Sequence, residues 1–167
     1  LVYTNLFVEI CYKSNTKLEN MMNDKKTFKA IRVEEENEKF VSAIKEMPFE
    51  VIEEGEVLIK VHYSSLNYKD ALSSIGNKGV TRNYPHTPGI DAVGTIVTST
   101  SEKFKIDDKV IVTSYDLGMN TNGGFAEYVK APENWVVKLP KKENLMSDHS
   151  AAPVPMTEEQ KFFFDLH

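Results

Sequence analysis

Asn67-Tyr68-Lys69-Asp70 places four hydrogen-bonding residues where an alternating apolar run ends and a helical spacing begins. A helix N-terminus offers free N–H groups and a partial positive charge, the means to hold a phosphate or a developing oxyanion. Asn67 and Tyr68 fit such a binding role, and equally a capping and packing role; the residues alone leave both open. Some twenty positions on, Pro88-Gly89-Ile90-Asp91 supplies a turn and a second carboxylate. Asp70 and Asp91 could meet as a pair, or Asp91 could bond backbone amides after the Pro-Gly turn.

Other chemistries find less support. Catalytic zinc usually needs three protein ligands and an open position. Cys11, His62, His86, His149 and His167 show no paired spacing of the H-x-x-x-H or C-x-x-C kind, so no metal site is expected. Each histidine reads as a surface or loop residue. The eight glycines contain no G-x-G-x-x-G, and no strand–glycine–helix unit is present to host one. Gly89 and Gly94 read as a turn and a bulge. No G-x-S-x-G nucleophile turn occurs.

Composition narrows the partners. A formal net charge of −5 and a pI near 5.4 leave no basic footprint for nucleic acid and disfavour anionic membranes. One cysteine cannot form an internal disulfide, which points to a reducing, cytoplasmic compartment. The apolar stretch 1–12 is too short to span a bilayer, which takes roughly 20 residues, and it lacks a basic leader.

The elements that must position Asn67 and Tyr68 are mostly strands. The clearest is Val57–Tyr63, where Val57, Ile59, Val61 and Tyr63 share one face and Lys60 and His62 the other. Further strands are predicted at 28–33, 40–44, 92–98, 109–113, 125–130 and 135–139. Tyr68–Ser74 has helical spacing, with Gly76 as its stop. Asn122-Gly123-Gly124 is a tight-turn signal. The pattern predicts a mainly β fold with short helices, closed as a twisted barrel. Residues 1–25 read as an extension outside the fold, 26–145 as the folded domain, and 146–167 as a linker with a short capped helix.

Ser65-Leu66-Asn67-Tyr68-Lys69-Asp70 with Pro88-Gly89-Ile90-Asp91 resembles the zinc-independent quinone-oxidoreductase branch of the medium-chain dehydrogenase/reductase superfamily. Arg82-Asn83-Tyr84-Pro85 and Asn122-Gly123-Gly124-Phe125-Ala126-Glu127 extend the likeness to the acryloyl-CoA reductase group. The resemblance runs from about Lys26 to Leu145. In zinc-bearing relatives His-Glu follows the glycine of the metal-binding turn; here Ile90-Asp91 follows Gly89.

The resemblance implies a GroES-like barrel, truncated before the Rossmann domain that would hold most of an NADPH cofactor. It implies a small-molecule substrate, with Tyr68, Asp70 and Arg82 as catalytic residues and Asn67 and Tyr68 against the cofactor. Asn67, Tyr68, Arg82 and backbone amides are the donors it offers for an enolate-like charge. The parent enzyme is expected to be a homo-oligomer that reduces acryloyl-CoA, other enoyl-CoA esters or quinones. A chain without the cofactor domain is expected to be inactive alone. The alternative is a GroES-like binding or oligomerisation module without catalysis.

Overall fold

The computed structural model describes residues 27–37 and 39–140. The expectations for 1–25 and 146–167, including the C-terminal helix, lie outside the described residues. Among the described residues seven strands and one α-helix follow one another as β1 (Thr27–Glu36), β2 (Lys39–Pro48), β3 (Glu56–Tyr63), α1 (Tyr68–Ser74), β4 (Asp91–Ser99), β5 (Lys109–Thr113), β6 (Tyr128–Pro132) and β7 (Val136–Lys138). Strands β1 and β2 form a hairpin; the other five form an antiparallel sheet in the order β6-β3-β4-β5-β7. Its two edge strands, β6 and β7, are joined by the 3-10 turn Glu133–Trp135, so the sheet curls on itself. The curl is a half-barrel, since β6 and β7 do not pair with each other, and its concave face gathers one apolar interior.

The interior follows the two-residue period of the strands. Along β4 the buried positions are Ala92, Gly94, Ile96 and Thr98, and along β5 they are Val110 and Val112. Of these, Ala92, Ile96, Val110 and Val112 meet Val57 and Ile59 of β3 and the loop residue Leu117 in one cluster. The hairpin is stitched to this barrel through β1. The Ile31 amide donates to the Phe125 carbonyl at 2.8 Å, the Glu127 amide to the Lys29 carbonyl at 2.9 Å, and Val33 and His86 exchange bonds of 2.7 and 2.9 Å.

Strand β3 departs from its expected alternation at its end. Val57 and Ile59 are buried and Val61 packs beside them, but Tyr63 is 76% exposed. The register explains this: Val61 pairs Gly94 but Tyr63 pairs Val93, so His62 is an extra residue in β3. A bulge turns the following side chain to the other face. Gly94 lies opposite it, and a Cβ there would fall 2.2 Å from the Lys60 carbonyl oxygen. Leu58, on the face expected to be wetter, is buried; Lys60 and His62 are exposed.

Helix α1 ends as its sequence predicts. Gly76 has φ +81°, its amide donates to Ser73 at 3.1 Å, and the Asn77 amide donates to Leu72 at 3.0 Å. This is the paired closure of a Schellman cap, which needs a left-handed residue at that position. Asn122-Gly123-Gly124 behaves otherwise. Neither glycine has a positive φ, and the segment lies flat along the Pro-Gly turn. The amides of Gly123, Gly124 and Phe125 donate to the carbonyls of Thr87, Gly89 and Pro88 at 2.8, 2.8 and 3.0 Å. These glycines serve close approach, not chain reversal.

His86 corrects another expectation. It lies on a connecting segment but is only 3% exposed, and its Nε2 donates to the Gly118 carbonyl at 2.9 Å. Burial holds its pKa below the ordinary value, and nearby Arg32 acts in the same direction, against the opposing effects of the Gly118 bond and Asp70. The unfolded chain therefore takes up a proton below about pH 6.5 that folded His86 resists. The stability this contributes is complete above that pH and is lost as pH falls toward the folded-state value. His86→Gln keeps a donor for Gly118 but does not titrate. Urea denaturation from pH 7.5 to 5 should show the wild-type chain losing stability more steeply than the variant. Parallel curves would contradict the assignment.

Candidate functional site

The site forms where β3 runs out. Beyond the bulge the chain passes through Ser64–Leu66 to Asn67, whose extended backbone (φ −115°, ψ 158°) is the N-cap of α1. Asp70, in the first turn, points back and inward. Its side chain is fully buried. One carboxylate oxygen, Oδ2, accepts the Asn67 amide at 2.8 Å, the returning half of a capping box. The other, Oδ1, accepts the amides of both Gly89 and Ile90 at 3.0 Å. Asp70 thus ties the strand–helix corner to the Pro-Gly turn. Expected among the catalytic groups, it is enclosed by backbone donors and acts here as a positioning residue.

Asp91 holds the same corner from the next position. Its Oδ1 accepts the Ser65 amide at 2.7 Å, and its Oδ2 accepts Asn67 Nδ2 at 3.1 Å and a short bond from the Ser65 hydroxyl. Its carbonyl accepts the Ser64 hydroxyl at 2.8 Å. The two carboxylates do not meet as a proton-sharing pair; each has its own set of donors. The reading of Asp91 as a carboxylate that bonds a backbone amide matches this geometry, with two side chains added.

Asn67 Nδ2 also lies 3.0 Å from the Ser65 hydroxyl and 3.3 Å from the Ser65 carbonyl. An amide nitrogen carries only two hydrogens, so its donor capacity is used within the protein. Tyr68, the next residue, is 78% exposed, and Leu66 and Tyr63 are exposed nearby in sequence. The corner therefore presents aromatic and apolar side chains beside a rigid polar network. Arg82 stands apart from it. Thr81 is hydrogen-bonded to Ser73 at 2.8 Å, in the last turn of α1, and Tyr84 donates to the Ser73 carbonyl at 2.6 Å. Arg82 is exposed and emerges at the opposite end of a helix that rises roughly 9 Å.

Two further features of this region were not foreseen. Ser64 and Ser65 supply donors to Asp91; their place in the strand-to-helix motif was the available signal. Ser114 and Tyr115 have φ of 71° and 55°. They follow Thr113, the register partner of Asp91, and the Tyr115 ring stacks on Trp135 at 5.5 Å. Successive left-handed residues other than glycine are costly and gather at functional sites. Nothing in the local sequence signals them. Among the described residues no three His, Cys, Asp or Glu side chains converge as metal ligands, and no helix is long and apolar enough to cross a membrane.

Comparison with known proteins defines the class. Residues 53–141 match the alcohol dehydrogenase GroES-like domain, and the chain belongs to that family. The chain is 40% identical over 118 residues to the putative quinone oxidoreductase YhfP of Bacillus subtilis, covering 71% of this chain and 36% of that protein. It is 37% identical over 111 residues to the probable acrylyl-CoA reductase AcuI of Escherichia coli, covering 66% and 34%. The crystal structure of YhfP with NAD bound aligns with a TM-score of 0.64 over 69% of this chain and 35% of that one. The yhdH oxidoreductase of Salmonella enterica in complex with NADP aligns at 0.63 with 35% identity, over 67% and 35%. The chain spans about a third of the length of the curated relatives it matches.

The geometry ranks these residues by their effect on folding. Asp70→Asn is nearly isosteric, but its NH2 group faces an amide that needs an acceptor. It should cost roughly 1–3 kcal/mol, the range for leaving a buried donor unsatisfied. Tyr68→Phe and Arg82→Ala, both at exposed positions, should stay within about 0.5 kcal/mol of wild type. Chemical denaturation followed by circular dichroism measures all three. A loss for Asp70→Asn no larger than for Tyr68→Phe would remove Asp70 from its bracing role.

Proposed function

We propose that this chain forms the substrate-side barrel of an NADPH-dependent oxidoreductase that reduces an activated alkene, acryloyl-CoA or another enoyl-CoA, or a quinone, without a metal. The observation that carries the reading is the 37–40% identity to a quinone oxidoreductase and an acrylyl-CoA reductase. NADPH over NAD is part of the proposal: related structures hold one or the other. The partner is a small molecule, neither nucleic acid nor membrane. The working enzyme is a longer, cytoplasmic, homo-oligomeric polypeptide.

When bound, a reduced nicotinamide supplies the hydride that adds to the β-carbon of the alkene, and a proton then reaches the α-carbon. The exposed ring of Tyr68 fits a cofactor contact at the mouth of the corner. Asn67 lines that corner and holds its shape through Asp91 and Ser65. Asp70 keeps Gly89 and Ile90 in place beside it. Arg82, charged and exposed, fits a contact with a phosphate or acyl-thioester group that extends past the helix. With no Lewis acid, charge developing on the thioester oxygen must be met by oriented donors. The Tyr68 hydroxyl is the side-chain donor left for it at this corner, because the Asn67 amide hydrogens are already engaged.

Most cofactor affinity in this architecture comes from the dinucleotide-binding domain. Titrated alone, the chain should show no saturable NADPH binding at micromolar concentrations. Mixed with the remaining two-thirds of the Escherichia coli relative, it should restore NADPH oxidation that depends on acryloyl-CoA, with Tyr68→Ala lowering the rate at least tenfold. Micromolar NADPH binding by the chain alone would overturn the division of labour. Activity with quinones but not acryloyl-CoA would move the substrate to that class.

A further inference from the structure

A cavity of about 470 Å³ opens between the β1–β2 hairpin and the barrel, lined also by Pro85, His86 and Thr87 just before the Pro-Gly turn. None of Asn67, Tyr68, Asp70 and Asp91 lines it. The volume lies within the range of small-molecule pockets. Phe28, Met47, Leu58, Tyr128 and Trp135 give its walls apolar and aromatic surface.

The two ends differ in charge. At one end Lys130 lies 3.4 Å from Glu50 and 3.3 Å from Glu56, so the ammonium is taken up by two carboxylates. At the other end stands Arg32, half-buried, hydrogen-bonded among the described residues to neutral groups alone, with Glu34 and Glu50 near enough to act on its charge. Its Nη1 donates to the Thr87 hydroxyl at 3.3 Å and to Asn122 Oδ1 at 2.6 Å. Its remaining N–H groups have no hydrogen-bond partner among the described residues, and no described carboxylate pairs with it. Glu34, the acidic neighbour on its own strand, is bound to Lys45 at 2.5 Å. A guanidinium stays charged at neutral pH, and its unused fork matches a carboxylate.

The geometry points to a second binding site here, for a monocarboxylate on an apolar body, with the carboxylate on Arg32 and the body along the aromatic walls. The acidic end disfavours dianions. The site is independent of the proposed reductase chemistry and does not require the cofactor.

The test uses octanoate and the full chain. Trp135 is the chain's one tryptophan and lines the cavity, so its fluorescence reports occupancy. Octanoate should shift Trp135 emission saturably, while 1-octanol, which lacks the charge, should bind at least tenfold more weakly. Arg32→Met should weaken octanoate at least tenfold, and Arg32→Lys should recover part of the loss. Tyr68→Ala should leave binding unchanged. Equal binding of octanol and octanoate, no saturable shift, or undiminished binding to Arg32→Met would each overturn the proposal. If Arg32→Met does not fold, the acid-against-alcohol comparison on the wild-type chain decides.

Discussion

The buried carboxylate of Asp70 gathers three backbone amides from two segments about twenty residues apart, and the positions of Asn67, Tyr68 and Asp91 depend on it. Without this acceptor the Gly89 and Ile90 amides would lose their side-chain partner in an interior that excludes water. Each such group costs more unpaired than it gains paired. The same carboxylate bonds the N-cap amide of α1, so the start of the helix and the end of the Pro-Gly turn are fixed by one side chain. A helix of seven residues has little stability of its own. Its place comes from this tie at one end and from the Gly76 cap and the Ser73–Thr81 bond at the other.

The opposite side of the turn is held by shape. A Cβ on Gly118 or Gly123 would lie 2.4 or 2.3 Å from the Gly89 carbonyl oxygen, and one on Gly124 would lie 2.2 Å from the Asp91 carbonyl oxygen. Three glycines therefore make a flat seat against which the turn is pressed, and backbone bonds register it there. Asp91 leaves this clamp with its orientation set, and only then can its carboxylate reach both Ser65 and Asn67. The polar network at the end of β3 is the last link of a chain that begins with three backbone approaches too close for any side chain.

Features encoded locally were legible in the sequence. The alternation of β3, the helical spacing of Tyr68–Ser74 and the Gly76 stop each depend on neighbours within a turn or a strand. Features set by distant partners were not. Tyr63 fell on the wrong face because the bulge at His62 depends on how β3 meets Gly94 across the sheet. Gly123 and Gly124 carry the composition of a turn, but the reasons for them are Gly89 and Asp91, each more than thirty positions earlier. Asp70 looked like chemistry because nothing in its neighbourhood shows that its acceptors face backbone amides. His86 looked like a surface residue because its burial comes from β1 and the Gly118 loop. Arg32 gave no signal, since a lone arginine in a strand is ordinary until the segments carrying Thr87 and Asn122 come to meet it.

The enclosure of both carboxylates bears on the proposed reduction. An enolate-like oxygen gains negative charge as the hydride adds, and a bare carboxylate nearby would oppose it. Two unit charges 6 Å apart repel by about 3 kcal/mol at an effective dielectric of 20, which is near a hundredfold in rate. Hydrogen bonds that converge on a carboxylate spread its charge into the donors and lower the field beyond them. Asp70 is covered by three amides, and Asp91 by the Ser65 amide and hydroxyl together with Asn67. Two acidic residues can then shape the site without opposing the charge that develops in it. The donors that meet that charge must come from groups the network leaves uncommitted. On this reasoning Asn67 belongs to the frame, and under the proposed reduction the exposed Tyr68 hydroxyl is the uncommitted donor at this corner.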